Sequence, residues 1–228
     1  MHCCHPSQES SCIHKVPIFN RLTEQDAAPL LAAIRTHHYS KGQYIFLEGQ
    51  QSDSLYILNQ GLVKLSKTSD AGKEQVFRFL FPGDFLGQFS LLQEKAHYAD
   101  AEALEDTTVC LIHRNDFLPL LESNSNIAYR FLIAISELLQ QAEEWIGTIS
   151  LLEVERRLAK LLMTFYMKNN NNPLITLPVQ KKEMAALLGT TPETLSRKLA
   201  VFEEAGAITV DRRRVTILEP ERLQAYAG

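Results

Sequence analysis

The chain has 228 residues, a formal net charge of −4 and 45% hydrophobic residues, enough apolar material for folded cores, which excludes a largely disordered protein. The first residues, Met1 to Pro6, have neither the basic segment nor the apolar stretch of a secretion signal. No apolar run reaches the roughly 18 residues that a membrane helix needs. We therefore expect a cytoplasmic protein without membrane contact.

The charge is unevenly distributed along the chain. Residues 150–228 hold 12 lysines and arginines against 9 aspartates and glutamates, a net charge of +3, whereas the remainder holds 11 against 18, a net charge of −7. A basic carboxy-terminal part is typical of a domain that meets phosphate groups. Ordinary surface variation would produce the same difference, so charge alone leaves both interpretations open.

Residues 40–113 predict an antiparallel β domain. Glycines punctuate residues 42–87, and short runs rich in aromatic and β-branched residues lie at 44–47, 55–58, 62–65, 76–79, 99–103 and 108–113. Short strands with turn signals every 8 to 12 residues or so are typical of a sandwich or barrel. Tight turns are expected at 70–73 and 81–84.

The apolar pattern then changes to a helical period. Spacings of three and four residues predict a long amphipathic helix that can form a coiled-coil seam, and we expect the dimer interface at Phe131, Ile135, Leu138, Ala142, Trp145 and Ile149. A second stripe lies beside the first, at Leu132, Leu139 and Ile146. Because two stripes offer apolar surface to both the barrel and a partner, a homodimer is favoured over a helix buried within one chain.

Residues 181–203 predict a helix-turn-helix. A helix at about 152–167, the polar loop 169–173 and a short strand at 174–178 precede it. Gly189 ends the first helix, Thr191 caps the second, and Pro192 takes its first position, where a missing N–H costs nothing. A short turn between two helices, the second carrying small polar side chains and an arginine, is typical of a DNA-reading motif. The alternative is a helical hairpin with a solvated charged face.

A β-hairpin wing is expected after Gly206. Strands at 208–210 and 214–217 flank three arginines, which we expect to contact DNA phosphates: Arg212, Arg213 and Arg214. Glu193, Ser196 and Arg197 lie near the start of the recognition helix and are expected to read base edges, since arginine pairs with guanine and glutamate accepts from cytosine. The remaining expected DNA-binding residues are Gln180, Thr191, Pro192 and Lys198.

The run from Thr190 to Leu199, TTPETLSRKL, closely resembles the recognition motif of the Crp/Fnr superfamily, and residues 81–87, FPGDFLG, resemble that family's barrel signature. The resemblance covers nearly the whole chain. It implies an α+β fold with a Cys-rich segment at 1–20, a cyclic-nucleotide-binding-type β-barrel (jelly roll) at 21–122, a dimerisation helix at 123–150 and a winged helix-turn-helix at 151–228. It implies a transcription regulator and not an enzyme.

The resemblance also implies the partners. Glu193, Ser196 and Arg197 match the positions at which the FNR branch reads its half-site, so it implies a homodimer on double-stranded DNA with a palindrome of TTGA-type half-sites. Pro192 stands at a variable position of the motif and leaves the adjoining base open. RNA polymerase is a further implied partner.

Cyclic AMP is not expected as the effector. Family members that bind it use a glutamate shortly after the second signature glycine and an Arg-Ser pair further on, whereas this sequence has Gln88 and His97-Tyr98 at those places. Without the arginine, an anionic phosphate would lie in a pocket without a matching charge.

The cysteines form a second candidate site, at Cys3, Cys4, Cys12 and Cys110. Their layout resembles the oxygen sensor branch FNR, which holds an iron–sulfur cluster on three amino-terminal cysteines and one barrel cysteine. It also resembles the FLP branch, in which two such cysteines form a dithiol switch. FNR-type sequences separate the first two cysteines by two residues, whereas Cys3 and Cys4 are adjacent, which makes joint ligation of one cluster awkward.

Four interpretations of these cysteines stay open. The first is a reversible disulfide between Cys110 and Cys4 or Cys12, which needs Cα atoms within about 7 Å. The second is a [4Fe–4S] cluster on Cys4, Cys12 and Cys110, with or without Cys3. The third is zinc held by these thiolates together with His2, His5 or His14. The fourth is a Cys110 that is merely a small core side chain. In the first three, a change at the site would shift the barrel against helix 131–149 and so change the spacing of the recognition helices.

Two other classes of function agree less well with the sequence. A thiol enzyme would use the cysteines, but no Cys-x-x-Cys, nucleophile elbow or paired-carboxylate arrangement supports it. A regulatory nucleotide-binding module would account for the barrel but would leave the winged helix without a purpose.

Overall fold

The structure, a computed structural model, describes residues 24–72, 74–168, 171–177, 179–212 and 214–227. The chain divides into two compact units, the first ending at Gln140 and the second beginning at Gln141. This division falls within a long helix, so the two units are described one at a time.

Two antiparallel four-stranded sheets build the first unit. One has the strand order β1-β8-β3-β6 and the other the order β2-β7-β4-β5. The strands, in chain order, are β1 Arg35–Tyr39, β2 Tyr44–Phe46, β3 Ser54–Gln60, β4 Val63–Thr68, β5 Glu74–Leu80, β6 Phe85–Leu86, β7 Asp100–Ala103 and β8 Thr107–His113. Apart from the β4-β5 hairpin, neighbouring strands are not consecutive in sequence, as in a jelly roll, so the expected strands and their barrel-like arrangement are confirmed.

Among the described residues, four helices belong wholly or partly to this unit. They are α1 Glu24–Ala33, α2 Gln88–Gln93, α3 Arg114–Ser123 and α4 Ser125–Leu151. Helix α4 has 27 residues and runs on into the second unit.

Alternation along β3 sends side chains into two cores. Tyr56 and Leu58 pack inside the barrel against apolar residues of the second sheet, whereas Leu55 and Ile57 face the other way and pack against helices α1 to α4. Because both faces of this sheet are covered, five consecutive β3 residues are buried.

The turn expected at 81–84 is confirmed, and the turn expected at 70–73 lies one residue earlier, at 69–72. The Gly72 N–H donates to the Ser69 carbonyl at 2.8 Å, and the Asp84 N–H donates to the Phe81 carbonyl at 2.9 Å. Gly87, which follows β6, has a positive φ of 88°, and a Cβ there would lie 2.5 Å from the Ser54 carbonyl oxygen. Only glycine fits this approach of two chain segments.

The second unit is a winged helix-turn-helix. Its elements after α4 are α5 Val154–Lys168, β9 Leu174–Thr176, α6 Lys181–Leu187, α7 Pro192–Glu204, β10 Ile208–Asp211, β11 Arg214–Ile217 and α8 Pro220–Ala227. The three strands form one antiparallel sheet in the order β10-β11-β9. The α+β class with barrel, long helix and winged motif agrees with the prediction. Within the described ranges, no helix has both the length and the apolar character that crossing a bilayer requires.

Candidate nucleic-acid interface and sensor core

The start of recognition helix α7 is fixed by local chemistry. The Thr191 hydroxyl accepts a hydrogen bond from the Thr194 N–H at 3.2 Å, and Pro192 occupies the first turn. Gly189, with a φ of +64°, separates α7 from α6. The predicted cap, proline and turn glycine are therefore all confirmed.

One face of α7 is buried and the opposite face carries the expected base readers. The buried side chains are Leu195, Leu199 and Phe202. Glu193 and Arg197 are exposed and Ser196 is half-buried. The motif therefore presents all three candidate residues at the amino-terminal part of the recognition helix, as direct readout in a major groove requires.

Glu193 is held in its charged form. Hydrogen bonding by its own backbone N–H, the Thr191 hydroxyl and the nearby Arg197 charge together lower the pKa of its carboxyl. An ionised carboxylate is an acceptor only, which suits a cytosine amino group.

Lys198, which was expected to contact DNA, forms an ion pair within the second unit, and its DNA contact stays a prediction. Its Nζ lies 2.6 Å from Glu155 Oε2 on α5, and both side chains are partly buried. Lys198 points to the body of the unit because it stands beside the buried Leu199 and Leu195 face of the helix. Lys181, which was not among the expected residues, brings its Nζ to 3.5 Å from Ser196 Oγ.

The other expected DNA-binding residues lie around the motif. Gln180 is exposed and immediately precedes α6. Arg214 is exposed on β11, opposite Asp211. Arg212 is exposed in the wing turn with a φ of +54°, and Arg213 lies outside the described residues.

The two apolar stripes of α4 have different surroundings. Phe131, expected in the dimer interface, is buried in the helix-facing core of the barrel, and Ile135 and Leu138 pack against the same core. Of the other expected interface residues, Ala142 is exposed, and Trp145 and Ile149 are half-buried. The second stripe is open: Leu132, Leu139 and Ile146 are each at least 60% exposed.

Cys110 lies in the middle of the first sheet and faces the helices. It stands opposite Ile57 on β3 and Thr36 on β1. Its side chain is fully buried in the core that also holds Phe131 of α4. The other three cysteines, Cys3, Cys4 and Cys12, and the histidines His2, His5 and His14 all lie outside the described residues.

Gln88, His97 and Tyr98 meet at a cavity inside the barrel. The His97 ring is buried, stacks on Phe46 at a centroid distance of 3.5 Å, and forms a 3.0 Å hydrogen bond through Nδ1 with the Ser90 hydroxyl. Burial lowers the pKa of His97 to about 4, so the ring is neutral at physiological pH.

Sequence reasoning missed three residues that organise these sites. Arg78 lines the same cavity. Glu155 binds Lys198. Arg157 donates from Nε to the Leu152 carbonyl at 2.7 Å and from Nη1 to the Leu188 carbonyl at 2.8 Å. Each was an unremarkable charged residue in a strand or helix, and only the fold shows what it contacts.

Comparison with known proteins agrees with this geometry. The family model described as "Cyclic nucleotide-binding domain" matches residues 36–124, and the one described as "Crp-like helix-turn-helix domain" matches residues 156–226. The chain is 30% identical over 208 residues to the cyclic AMP receptor protein of Thermus thermophilus, which covers 89% of this chain and 95% of that protein.

Two further comparisons extend the similarity. The chain is 28% identical to the probable transcriptional regulator flp of Lacticaseibacillus casei, over 95% of this chain and 98% of that one. The solved FixK2 structure from Bradyrhizobium japonicum has the same fold, with a TM-score of 0.79 at 23% identity over 86% of this chain and 98% of that one. The protein belongs to the Crp/Fnr family of DNA-binding transcription regulators, and its relatives are regulators and not enzymes.

Proposed function

We propose that this regulator responds to redox state or oxygen through Cys110 and the amino-terminal cysteines. The observation that carries the proposal is the position of Cys110, whose buried side chain shares a core with Phe131 of the long helix α4. A change of bonding at this sulfur would alter packing in the core that this helix shares. Since well-packed cores shift between discrete arrangements instead of deforming smoothly, such a change can move α4.

A reversible disulfide is the chemistry that we favour. The disulfide bond of Cys110 supports this chemistry, and Cys110 is the only cysteine among the described residues. We infer that Cys4 or Cys12 supplies the second sulfur. No group of three or more potential metal ligands occurs in the described ranges. A [4Fe–4S] cluster or zinc would therefore need the amino-terminal cysteines or histidines for most of its ligands.

Cyclic AMP does not fit as the signal. The places of the arginine and serine that hold a cyclic nucleotide are taken by His97 and Tyr98. The His97 ring is neutral and fills the site by stacking on Phe46. The cavity at this place has a volume of ≈ 20 Å³, room for about one water molecule and too little for a phosphate with its ribose.

We further propose that the regulator binds, as a homodimer, a palindrome with TTGA-type half-sites. Glu193, Ser196 and Arg197 would read base edges, and Arg212, Arg213 and Arg214 would contact phosphates. The open α4 stripe of Leu132, Leu139 and Ile146 would be covered by a second copy, since these apolar residues repeat every seven positions as in a coiled coil. Bound regulator would contact RNA polymerase, and a DNA-binding role places the protein in the cytoplasm.

Gel-shift titration of the palindrome tests the redox proposal. Reduced and oxidised wild-type protein should differ in affinity, whereas Cys110→Ala should show one affinity under both conditions. A Cys110→Ala affinity that still responds to the oxidant, or equal affinities for the two wild-type forms, would refute the cysteine switch.

A second measurement separates the three chemistries. Protein purified without oxygen would be examined by its absorption spectrum, by iron and zinc analysis and by a thiol count before and after oxidation. The disulfide proposal expects neither metal in stoichiometric amount and the loss of two thiols per chain. Stoichiometric iron or zinc would refute it in favour of the corresponding metal site.

A further inference from the structure

Thr36 of β1 carries a buried hydroxyl without a hydrogen-bond partner. Its Oγ1 is shielded from solvent and forms no hydrogen bond within the described part of the chain. Burying a hydroxyl without a partner costs free energy, and most buried polar atoms in folded proteins are therefore paired. The place of this hydroxyl in the first sheet supplies a physical reason for the exception.

Thr36 lies directly opposite Cys110. The two residues are Cα partners in the antiparallel pair β1-β8, and Ile57 of β3 is the partner of Cys110 on its other side. Directly opposed residues point their side chains to the same face of a sheet, with Cβ atoms about 4.5–5.5 Å apart. Since the Cys110 side chain lies on the helix-facing side of the sheet, the Thr36 side chain lies on that side next to it.

The neighbouring pair on the same face shows that such partners touch. His38 stands opposite Thr108, two residues further along each strand. The His38 Nδ1 lies 3.1 Å from the Thr108 Oγ1, so a hydrogen bond joins the two side chains across the strands. At the pair of Thr36 and Cys110, the group that faces the hydroxyl is a sulfur atom.

The core that holds Cys110 is otherwise apolar. On this face of the sheet the described titratable group near Thr36 is His38, which is engaged with Thr108. An apolar environment disfavours ionisation of a thiol, so a buried cysteine is unreactive unless a local group stabilises the thiolate. The charged side chains described on the covering helices α3 and α4 are not part of this core: Arg114, Asp116, Glu122, Arg130 and Glu137.

We propose that the Thr36 hydroxyl donates a hydrogen bond to the Cys110 sulfur when the disulfide is reduced, and that it stabilises the thiolate which forms the disulfide again. This inference rests on the cysteine switch proposed above and gives Thr36 the role of a positioning residue. A disulfide sulfur is a weak acceptor, so the hydroxyl has no partner while Cys110 is oxidised, as the structure shows.

The reaction in which Thr36 acts is a thiol–disulfide exchange. Conversion of two thiols to a disulfide removes two electrons, and the acceptor is a low-molecular-weight disulfide. Cys4 or Cys12 exchanges with it and releases one small thiol. The Cys110 thiolate then attacks the protein sulfur of the mixed disulfide, forms the S–S bond and expels the second small thiolate, which takes up the proton that Cys110 has lost. Thr36 acts in this last step because the thiolate, and not the thiol, is the nucleophile.

The ¹³C chemical shift of the Cys110 Cβ tests the hydrogen bond, because this shift changes when the thiol ionises. Reduced full-length protein, labelled at the cysteine Cβ, is titrated from about pH 6 to about pH 10, and Cys110→Ala identifies the Cys110 signal. Thr36→Val removes the hydroxyl and keeps the shape of the side chain. Its midpoint should lie about one pH unit above that of wild type, since a hydrogen bond to a charged group is lost. Thr36→Ser keeps the hydroxyl and should titrate as wild type does.

Two further variants control for packing and position. Thr36→Ala removes the hydroxyl without adding a methyl group, and it should shift the midpoint in the same direction as valine. Thr108→Val removes the hydroxyl that is bonded to His38, and it should leave the midpoint unchanged. Equal midpoints in wild type and Thr36→Val, an equal shift in Thr36→Ser or Thr108→Val, or a wild-type Cys110 that stays a thiol throughout the titration would overturn the proposal.

The rate of disulfide formation separates this inference from the redox proposal. With oxidised glutathione as the probe, Thr36→Val should slow the closing step about threefold near pH 7, less than its loss of thiolate, because a more basic thiolate is the better nucleophile. A shifted midpoint in a protein that forms no disulfide would keep the hydrogen bond and refute the switch. A disulfide that changes DNA affinity, with equal midpoints in wild type and Thr36→Val, would keep the switch and refute the role of Thr36.

Discussion

Lys198 Nζ lies 2.6 Å from Glu155 Oε2, so an ion pair joins recognition helix α7 to helix α5. Arg157, on the same helix α5, donates to the carbonyl of Leu188 at the end of α6. Both helices of the DNA-reading motif are therefore attached to α5 through charged hydrogen bonds. The orientation in which α7 is presented depends on these attachments as well as on the apolar contacts of Leu195 and Phe202.

Lys198→Met should destabilise the protein without changing its electrostatic contact with DNA. The substitution leaves the partly buried Glu155 carboxylate without its cation, for which we expect a loss of about 1 kcal/mol in the free energy of unfolding. The slope of log affinity against log salt should stay at the wild-type value. Urea unfolding measures the loss of stability. Anisotropy titrations of DNA at several salt concentrations measure the slope.

Arg214→Met is the matched control for that experiment. It removes an exposed cation of the wing, so stability should stay within about 0.5 kcal/mol while the salt slope falls by about 1. If instead Lys198→Met lowered the slope as much as Arg214→Met does, Lys198 would be a phosphate contact after all.

Thr191→Ala should cost about 1 kcal/mol of stability, because it removes the hydroxyl that accepts from the Thr194 N–H. Thr191→Ser keeps an oxygen at the cap and should restore most of that loss. Chemical denaturation of both variants gives the comparison. Equal destabilisation by alanine and serine would show that the methyl group and not the hydrogen bond matters at this position.

Much of this architecture could be predicted from residue patterns. The strands, turns and cap depend on local signals, such as the glycines at 72 and 189 and the Thr191-Pro192 pair. Because each signal lies within a few consecutive residues, it can be recognised in a single sequence. Periodicity could not reveal which part of the protein covers Phe131, because it shows that a stripe is apolar but not what packs against it. In the structure Phe131 packs on Phe117 with ring centroids 5.1 Å apart, and the open stripe is the other one.

The contacts between polar side chains could not be predicted from the sequence. Lys198 and Glu155 are 43 residues apart, and Arg78 meets His97 only because β5 and the segment after α2 line the same cavity. Contacts between charged residues far apart in sequence depend on the fold, and a single sequence carries no signal for them. The domain limits at 20, 122 and 150 stay predictions.

Leu139→Glu should prevent dimer formation. Leu139 is 60% exposed in the middle of the open α4 stripe, and in a coiled-coil seam a carboxylate there would be buried against its own copy. Light scattering after size exclusion should give the mass of a monomer, and affinity for the palindrome should fall. Leu218→Glu alters a leucine of the second unit that is 51% exposed, and this variant should remain a dimer. A dimeric Leu139→Glu would exclude this stripe as the interface.

His97 should make stability depend on pH below neutrality. Its pKa is lowered to about 4 by burial, whereas an unfolded histidine titrates near 6.5. Between these values the unfolded state binds the proton and the native state does not, so the free energy of unfolding falls as pH decreases from about 6.5 to about 4, by at most about 3 kcal/mol. Above pH 7 this contribution is fully present and constant.

Urea unfolding of wild type and His97→Gln at several pH values isolates that contribution. The wild type should lose more stability than the variant between pH 6.5 and pH 4.5, while the two curves should run parallel above pH 7. Parallel curves over the whole range would show that the native state protonates His97 as readily as the unfolded chain does.

The affinity of Arg197→Ala for two DNA duplexes is the most direct test of how α7 reads DNA. One duplex carries the TTGA-type palindrome and the other a scrambled sequence of the same length, and both are titrated at one salt concentration. If Arg197 reads a base, the variant should lose about 1–3 kcal/mol on the palindrome and much less on the scrambled duplex. Equal losses on both duplexes would contradict the account, because Arg197 would then contact only the phosphate backbone.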